Sequence, residues 1–199
     1  MNYIFRLTLL LVVPFLVIPL LLIMILIRID SRGPILFWSK RVGQHEEIFL
    51  MPKFRTMKID TPQLATHLLD NHKDRITAIG KFLRKFSLDE IPQLYSILKG
   101  DMNLIGPRPA LFNQKDLIKL RRKYKLNNIK PGLTGWAQVN GRNSINWGKK
   151  FELDIWYIEN QSFLLNLKIL LKTIWKVFSM DGINHPDHTT MEKFKGNNK

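Results

Sequence analysis

From Leu7 to Ile27 the chain is apolar at every position except Thr8, Pro14 and Pro19, with Arg6 and Arg28 at the two ends. Roughly 20 helical residues cross a hydrocarbon layer of about 30 Å, so this run predicts a membrane segment. It is long for a signal-peptide core, and Arg28, Asp30 and Arg32 stand where small cleavage-site residues belong, so the segment is expected to be retained. Two arrangements stay open. Hydropathy alone favours a simple spanning anchor. The prolines weaken that reading, because each lacks a backbone donor and crowds the preceding turn, so a kink near Pro14 or Pro19 would send the helix back toward the side it entered. Such a re-entrant helix keeps Arg6 and Arg28 on one face and leaves the Lys- and Arg-rich remainder on the cytoplasmic side.

After this run the period changes. Short apolar patches, Ile35 to Trp38 and Ile48 to Met51, are separated by Gly33-Pro34 and Val42-Gly43-Gln44, which predicts short strands joined by turns. Asp60 to Asp74 is polar and reads as a loop with a short helix. Ile76, Ile79, Leu83 and Phe86 then recur at helical spacing with Lys81, Arg84 and Lys85 between them, a basic amphipathic helix suited to a membrane surface or a core. Leu94, Ile97 and Leu98 suggest a short helix stopped by Gly100, and a charged helix is expected from about Asn113 to Tyr124. Phe163 to Phe178 forms a further amphipathic pattern, with Lys168, Lys172 and Lys176 in one stripe. These elements make an α+β chain, divided into a membrane helix over 1–28 and a cytoplasmic domain with interfacial amphipathic helices over 29–199.

Composition narrows the chemistry. In 199 residues, 31 Lys and Arg face 16 Asp and Glu, a formal charge of +15 that predicts attraction to phosphates, anionic lipid or nucleic acid without choosing among them. Cysteine is absent, which excludes a disulfide framework, a zinc-thiolate site and a thiol nucleophile.

Ser87-Leu88-Asp89-Glu90-Ile91-Pro92-Gln93-Leu94 places two carboxylates side by side. Ser87 and Glu90 have capping-box spacing, yet a helix capped at Ser87 would put Pro92 where a backbone donor is needed. A helix starting at Asp89 or Glu90 avoids the conflict and sets both carboxylates at its positive end, which favours their ionised forms. An ionised Asp can act as a nucleophile toward phosphorus. Lys53, Arg55, Arg84, Arg108 and Arg142 lie mostly beside turn residues and are candidate phosphate ligands as a group, although any one of them alone reads as a surface ion pair. A carboxylate beside them can hold a magnesium ion that bridges phosphate oxygens. The Pro131 to Arg142 stretch is Gly-rich without dinucleotide-fold or P-loop spacing. It is either a structural loop around Trp136 or a pocket wall using Gln138, Asn140 and Arg142. His185 and His188 lack an obvious third metal ligand.

Taken in order, Ile27 to Ser31 with Gly33-Pro34, Arg41-Val42-Gly43, Lys53 to Met57, Ser87 to Leu94, Gly100-Asp101-Met102, Gly106 to Pro109 and Pro131 to Arg142 resemble the monotopic phosphoglycosyl transferases of the bacterial sugar transferase family. The resemblance implies that Asp89 attacks the β-phosphate of a UDP-sugar, releasing UMP, and that Glu90 with Asp89 binds Mg2+. Undecaprenyl phosphate then takes the phosphosugar in a ping-pong reaction. Arg108 would bind substrate phosphate, joined by Lys53, Arg55, Arg84, Gln138 and Arg142, and Pro19 would break a re-entrant helix in the inner, cytoplasmic membrane. The resemblance is to the minimal catalytic form, without the multi-span N-terminal region of longer relatives. It departs from the family in having Ile18 rather than Ser before Pro19, and in showing no clear basic and acidic motif within Met1 to Arg6. Expected partners are the UDP-sugar, undecaprenyl phosphate and membrane lipids, with no nucleic acid. Self-association as a homo-oligomer is left open. The competing readings are a membrane-anchored protein that binds anionic lipid or nucleic acid, and an inactive scaffold for later glycosyltransferases.

Overall fold

The computed structural model describes residues 17–62, 72–141 and 144–179. Pro14, Arg142, His185 and His188 lie outside them, as does the path of the chain into the first helix. Residues 17–30, Pro19 included, are helical and form α1. Leu20, Ile23, Met24 and Ile27 recur at helical spacing and pack on Phe54 and Leu83. Ile18, Leu21, Leu22, Ile25 and Ile29, equally apolar, are exposed on the other side. Among the described residues no helix is long and apolar enough to cross a membrane.

The two apolar patches grow into full strands. β1 (Leu36–Val42) and β2 (Ile48–Phe54) pair antiparallel, from Leu36 opposite Phe54 to Val42 opposite Ile48. Side chains alternate across a strand. Ser39, Phe49 and Met51 therefore point inward, while Trp38, Lys40, Ile48 and Leu50 face out. After the short α2 (His72–Arg75), α3 (Ala78–Lys85) begins at Thr77, whose Oγ1 accepts from the Gly80 amide at 3.1 Å. Leu83 is fully buried beneath α1, whereas Phe82 is half exposed.

A 3-10 turn, Leu88–Gln93, leads into α4 (Leu94–Lys99). Gly100 ends that helix at φ 96°, a left-handed backbone that glycine adopts without strain. β3 (Asn103–Ile105) pairs parallel with β4 (Gly132–Thr134). Parallel neighbours need a long crossover, and the chain between them supplies one that carries α5 (Lys115–Lys123). The backbones meet so closely at Gly106 and Gly132 that a β-carbon on Gly132 would lie 2.1 Å from the Gly106 nitrogen. α6 (Trp136–Val139), α7 (Trp147–Glu159) and α8 (Phe163–Ser179) complete the described chain. Ile105, Val139, Tyr157, Leu165 and Ile169 bury one core among them. The buried Tyr157 hydroxyl donates to Asn166 Oδ1 at 2.9 Å, which satisfies two polar groups inside that core.

The observed mixture of helices and small sheets is the α+β class expected from the sequence. α3, α4, α5 and α8 fall where periodicity put them. The parallel pair β3–β4 carries no such signal, whereas α7 does, in Trp147, Phe151, Ile155 and Ile158 at helical spacing, although no helix was expected there. Each strand of that pair is three residues long, too short for alternation to register.

Candidate active site

Lys53 stands near the end of β2 on the face that carries Phe49 and Met51, and that face looks onto the 3-10 turn holding Asp89 and Glu90. Ser87 enters the turn with φ 56° and forms no side-chain cap. The capping-box reading is therefore overturned, because Glu90 is engaged elsewhere. Its Oε1 accepts from Lys53 Nζ at 3.0 Å. Arg108 grips both of its oxygens in a fork, through NH1 to Oε2 at 3.1 Å and NH2 to Oε1. Asp89 Oδ2 lies 4.0 Å from the same Lys53 ammonium. Pro92, which would disrupt an α-helix begun at Ser87, sits inside the 3-10 turn, and the α-helix starts only at Leu94.

The electrostatics differ from the helix-end picture drawn from the sequence. Burial pushes the Asp89 carboxyl up and Glu90 beside it adds to that, while Lys53, Arg84 and Arg108 pull it back. Burial likewise pushes the Lys53 ammonium down, and the like charges of Arg108 and Arg41 add to that, while Glu90 and Asp89 pull it back up. Arg108 is pushed up, chiefly by the charge of Glu90. What balances Asp89 is a set of partly buried cations rather than a helix end.

Not every residue expected at the site joins this cluster. Arg84 faces the two carboxylates electrostatically, and its Nε donates to Thr56 Oγ1 at 2.8 Å. Arg55 is turned to α1, donating from NH1 to the Arg32 carbonyl and from NH2 to the Ser31 carbonyl, both at 2.7 Å. It ties the end of the first helix to β2. Gln138, on α6, has its amide oxygen and nitrogen buried without a hydrogen-bond partner, against Gly135 and hence beside Gly106. Pro19 is on the distal part of α1. Two arginines that sequence reasoning did not select lie against the cluster's support. Arg41 donates to the Pro109 carbonyl at 3.2 Å, and Arg121 donates to the Arg108 carbonyl at 3.1 Å. Arg41 stands within one of the family-like motifs, which was the only available signal; Arg121 opens a run of three cations, Arg121-Arg122-Lys123, on α5 that reads as a solvated face.

Among the described residues no group of three acidic or histidine side chains could hold a metal by itself. Asp89 and Glu90 do fit magnesium as a hard-oxygen pair, since that ion is commonly held by one or two carboxylates with substrate phosphates completing the set.

Carboxylates framed by lysine and arginine are the donor set that phosphate chemistry uses, and α1 and α8 each carry a bare apolar face. The chain belongs to the bacterial sugar transferase family, which it matches over residues 1–180. It is 45% identical over 170 residues to the uncharacterized sugar transferase EpsL of Bacillus subtilis, covering 85% of this chain and 83% of that protein. It is 39% identical over 165 residues to the undecaprenyl-phosphate galactose phosphotransferase of Salmonella typhimurium, covering 75% of this chain and 34% of that protein. The UDP-N-acetylgalactosamine-undecaprenyl-phosphate N-acetylgalactosaminephosphotransferase of Aeromonas hydrophila is 36% identical over 155 residues, covering 75% of this chain and 37% of that protein. The chain thus spans most of EpsL but only about a third of the other two.

Proposed function

We propose that this chain is a phosphoglycosyl transferase that moves a sugar 1-phosphate from a UDP-sugar to undecaprenyl phosphate and releases UMP, the first membrane step of a bacterial surface glycan. The observation that carries the reading is the placement of Asp89 in a buried cluster where Lys53 lies 4.0 Å from its carboxylate and Arg108 is held in a fork on Glu90. Names of relatives that act on undecaprenyl phosphate support the acceptor, and one of them names a UDP-sugar donor.

In the first step an Asp89 oxygen attacks the β-phosphorus of the donor. The bond from that phosphorus to the bridging oxygen breaks, and UMP leaves with the electron pair. The carrier's phosphate oxygen then attacks the same phosphorus and returns Asp89 as a carboxylate. Lys53, Arg84 and Arg108 stabilise charge on the phosphoryl oxygens as they pass through a more highly charged arrangement. For Arg108 and Lys53 to reach the donor, its phosphates must compete with Glu90 for them. Asp89 and Glu90 would hold Mg2+, which when bound neutralises part of the diphosphate charge. Gln138 brings an unpaired amide as a contact for the donor.

The apolar faces of α1 and α8 support a seat at a membrane surface, and on this reading the membrane is the cytoplasmic one, with the catalytic part on its cytoplasmic side. Phe163, Leu164, Leu171, Ile174 and Trp175 are all exposed on α8. An interfacial helix buries such a face at the headgroup boundary.

Purified protein in lipid nanodiscs, given a panel of UDP-sugars and undecaprenyl phosphate, is expected to release UMP. With donor alone it is expected to carry a phosphosugar adduct on Asp89 by mass spectrometry. Turnover that survives Asp89→Asn would refute the covalent route. Absence of UMP with every donor, alongside retained binding to anionic liposomes, would leave only a lipid-binding role.

A further inference from the structure

Residues 106–110 form no helix or strand, and Pro107 and Pro109 bring no backbone donor to hold them. Every carbonyl from 107 to 110 is nevertheless bonded. Pro107 accepts from the Gly132 amide at 2.9 Å and Ala110 from the Val42 amide at 3.0 Å. The two between them are held by guanidinium groups: the Arg108 carbonyl by Arg121 from α5, and the Pro109 carbonyl by Arg41 from β1.

We propose that Arg41 and Arg121 are positioning residues that clamp the Arg108–Pro109 backbone from two sides, so that the Arg108 side chain is aimed at the carboxylate pair and the phosphates of the substrate. The inference rests on the reading of Arg108 as a phosphate-binding group.

The placement is costly for anything less. Arg121 is buried and Arg41 lies beside the like-charged Arg108, and for both the largest influence is the loss of water around the charge. Neutral donors could satisfy carbonyls without bringing two more cations so close. Charged donors hold a carbonyl more strongly than neutral ones do. Each guanidinium is itself held at a second point. Arg41 Nε donates to Ser39 Oγ at 3.0 Å, and Arg121 Nε donates to Asn127 Oδ1 at 3.3 Å. Asn127 in turn donates to Glu46 Oε1 at 3.0 Å, and Glu46 also pairs with Arg122. The hairpin turn, α5 and the loop behind Arg108 thus belong to one polar support. Such support matters because a misplacement of about 1 Å can cost on the order of a hundredfold in rate.

The test is a double-mutant cycle read by inorganic pyrophosphate binding to the full chain in nanodiscs, which needs no catalysis. Arg41→Met and Arg121→Met are each expected to weaken binding by about tenfold, and to weaken it no further when Arg108 is already Ala. Equal weakening with and without the Arg108 side chain would overturn the inference, because a general loss of structure does not depend on that group. Unchanged binding in the single variants, or no pyrophosphate binding by the unaltered chain, would overturn it as well. Should a Met variant fail to fold, Arg41→Lys and Arg121→Lys keep the charge but lose the fork, and the same cycle is read with them. A chain that shows this non-additivity yet releases no UMP from any UDP-sugar would refute the proposed reaction and leave the clamp in place.

Discussion

The site and α8 invert each other. Around Asp89 the ionisable groups are inside, with side-chain exposures of 12% for Asp89, 13% for Glu90 and 16% for Lys53. On α8 the large apolar groups are outside, with Leu164 75% and Trp175 72% exposed. Either arrangement is expensive in plain water. Buried charges survive where each has a counter-charge and hydrogen bonds, as Glu90 has in Lys53 and Arg108. An apolar face survives where something other than water covers it. The two regions thus keep charge and apolar surface apart: the ionisable groups are paired inside, and the bare apolar side chains stand on a separate helix.

The sharpest way to break the polar side is Asp89→Asn. It is expected to lower UMP release by at least about 10³-fold while liposome binding is unchanged, since removal of a nucleophile leaves only residual catalysis. Glu90→Gln deprives the largely buried Lys53 and the partly exposed Arg108 of their shared counter-charge. It is expected to lower stability by about 3 kcal/mol, the low end for a broken buried pair because Arg108 reaches water and Lys53 keeps Asp89, read by thermal unfolding in nanodiscs.

A smaller effect comes from Asp154 on α7, which faces Arg121 and Lys150 and is pushed up to about 6 by burial. A carboxyl raised above its unfolded value near 4 contributes stability that is complete below that value and lost as pH rises through about 6. The loss amounts to about 3 kcal/mol. Glu46, held down to about 2 chiefly by its hydrogen bond from Arg122, works in the opposite sense, with stability present above the ordinary carboxylate range and lost on acidification. The measurement is therefore the difference between the original chain and Asp154→Asn across pH 4 to 7, which should shrink toward acid.

The smallest effect on the fold, and the test of the apolar side, is Leu171→Ser. Stability should stay within about 0.5 kcal/mol, because Leu171 is 60% exposed. Partition into vesicles should nevertheless weaken by about 1.5 to 3 kcal/mol, the value of burying a leucine. Unchanged partition would remove α8 from the boundary.

Several parts of this architecture were legible along the chain because they are local. The spacing of Ile79 and Leu83 along α3, the stop at Gly100 and the amphipathic run of α8 depend on helical period and backbone freedom, which neighbours in sequence determine. The carboxylate pair and its candidate cations were legible as types, and Lys53, Arg84 and Arg108 do gather around it. Arg55 shows the limit. It stands two residues from Lys53 and is equally basic, yet it binds carbonyls at the end of α1.

What the sequence determined by itself was therefore the inventory: an apolar N-terminal run, no thiol chemistry, an excess of cations, and adjacent acids in an ordered set of motifs. Tertiary structure alone decided which cation meets which acid, that the parallel pair β3–β4 brings the bare backbones of Gly106 and Gly132 together, and that Arg41 and Arg121 converge on one loop. The physical reason is distance along the chain. Lys53 and Glu90 are 37 positions apart, and Arg41 and Pro109 are 68 apart. Such contacts exist only after loop closure has been offset by burial of the core, and no local pattern encodes them.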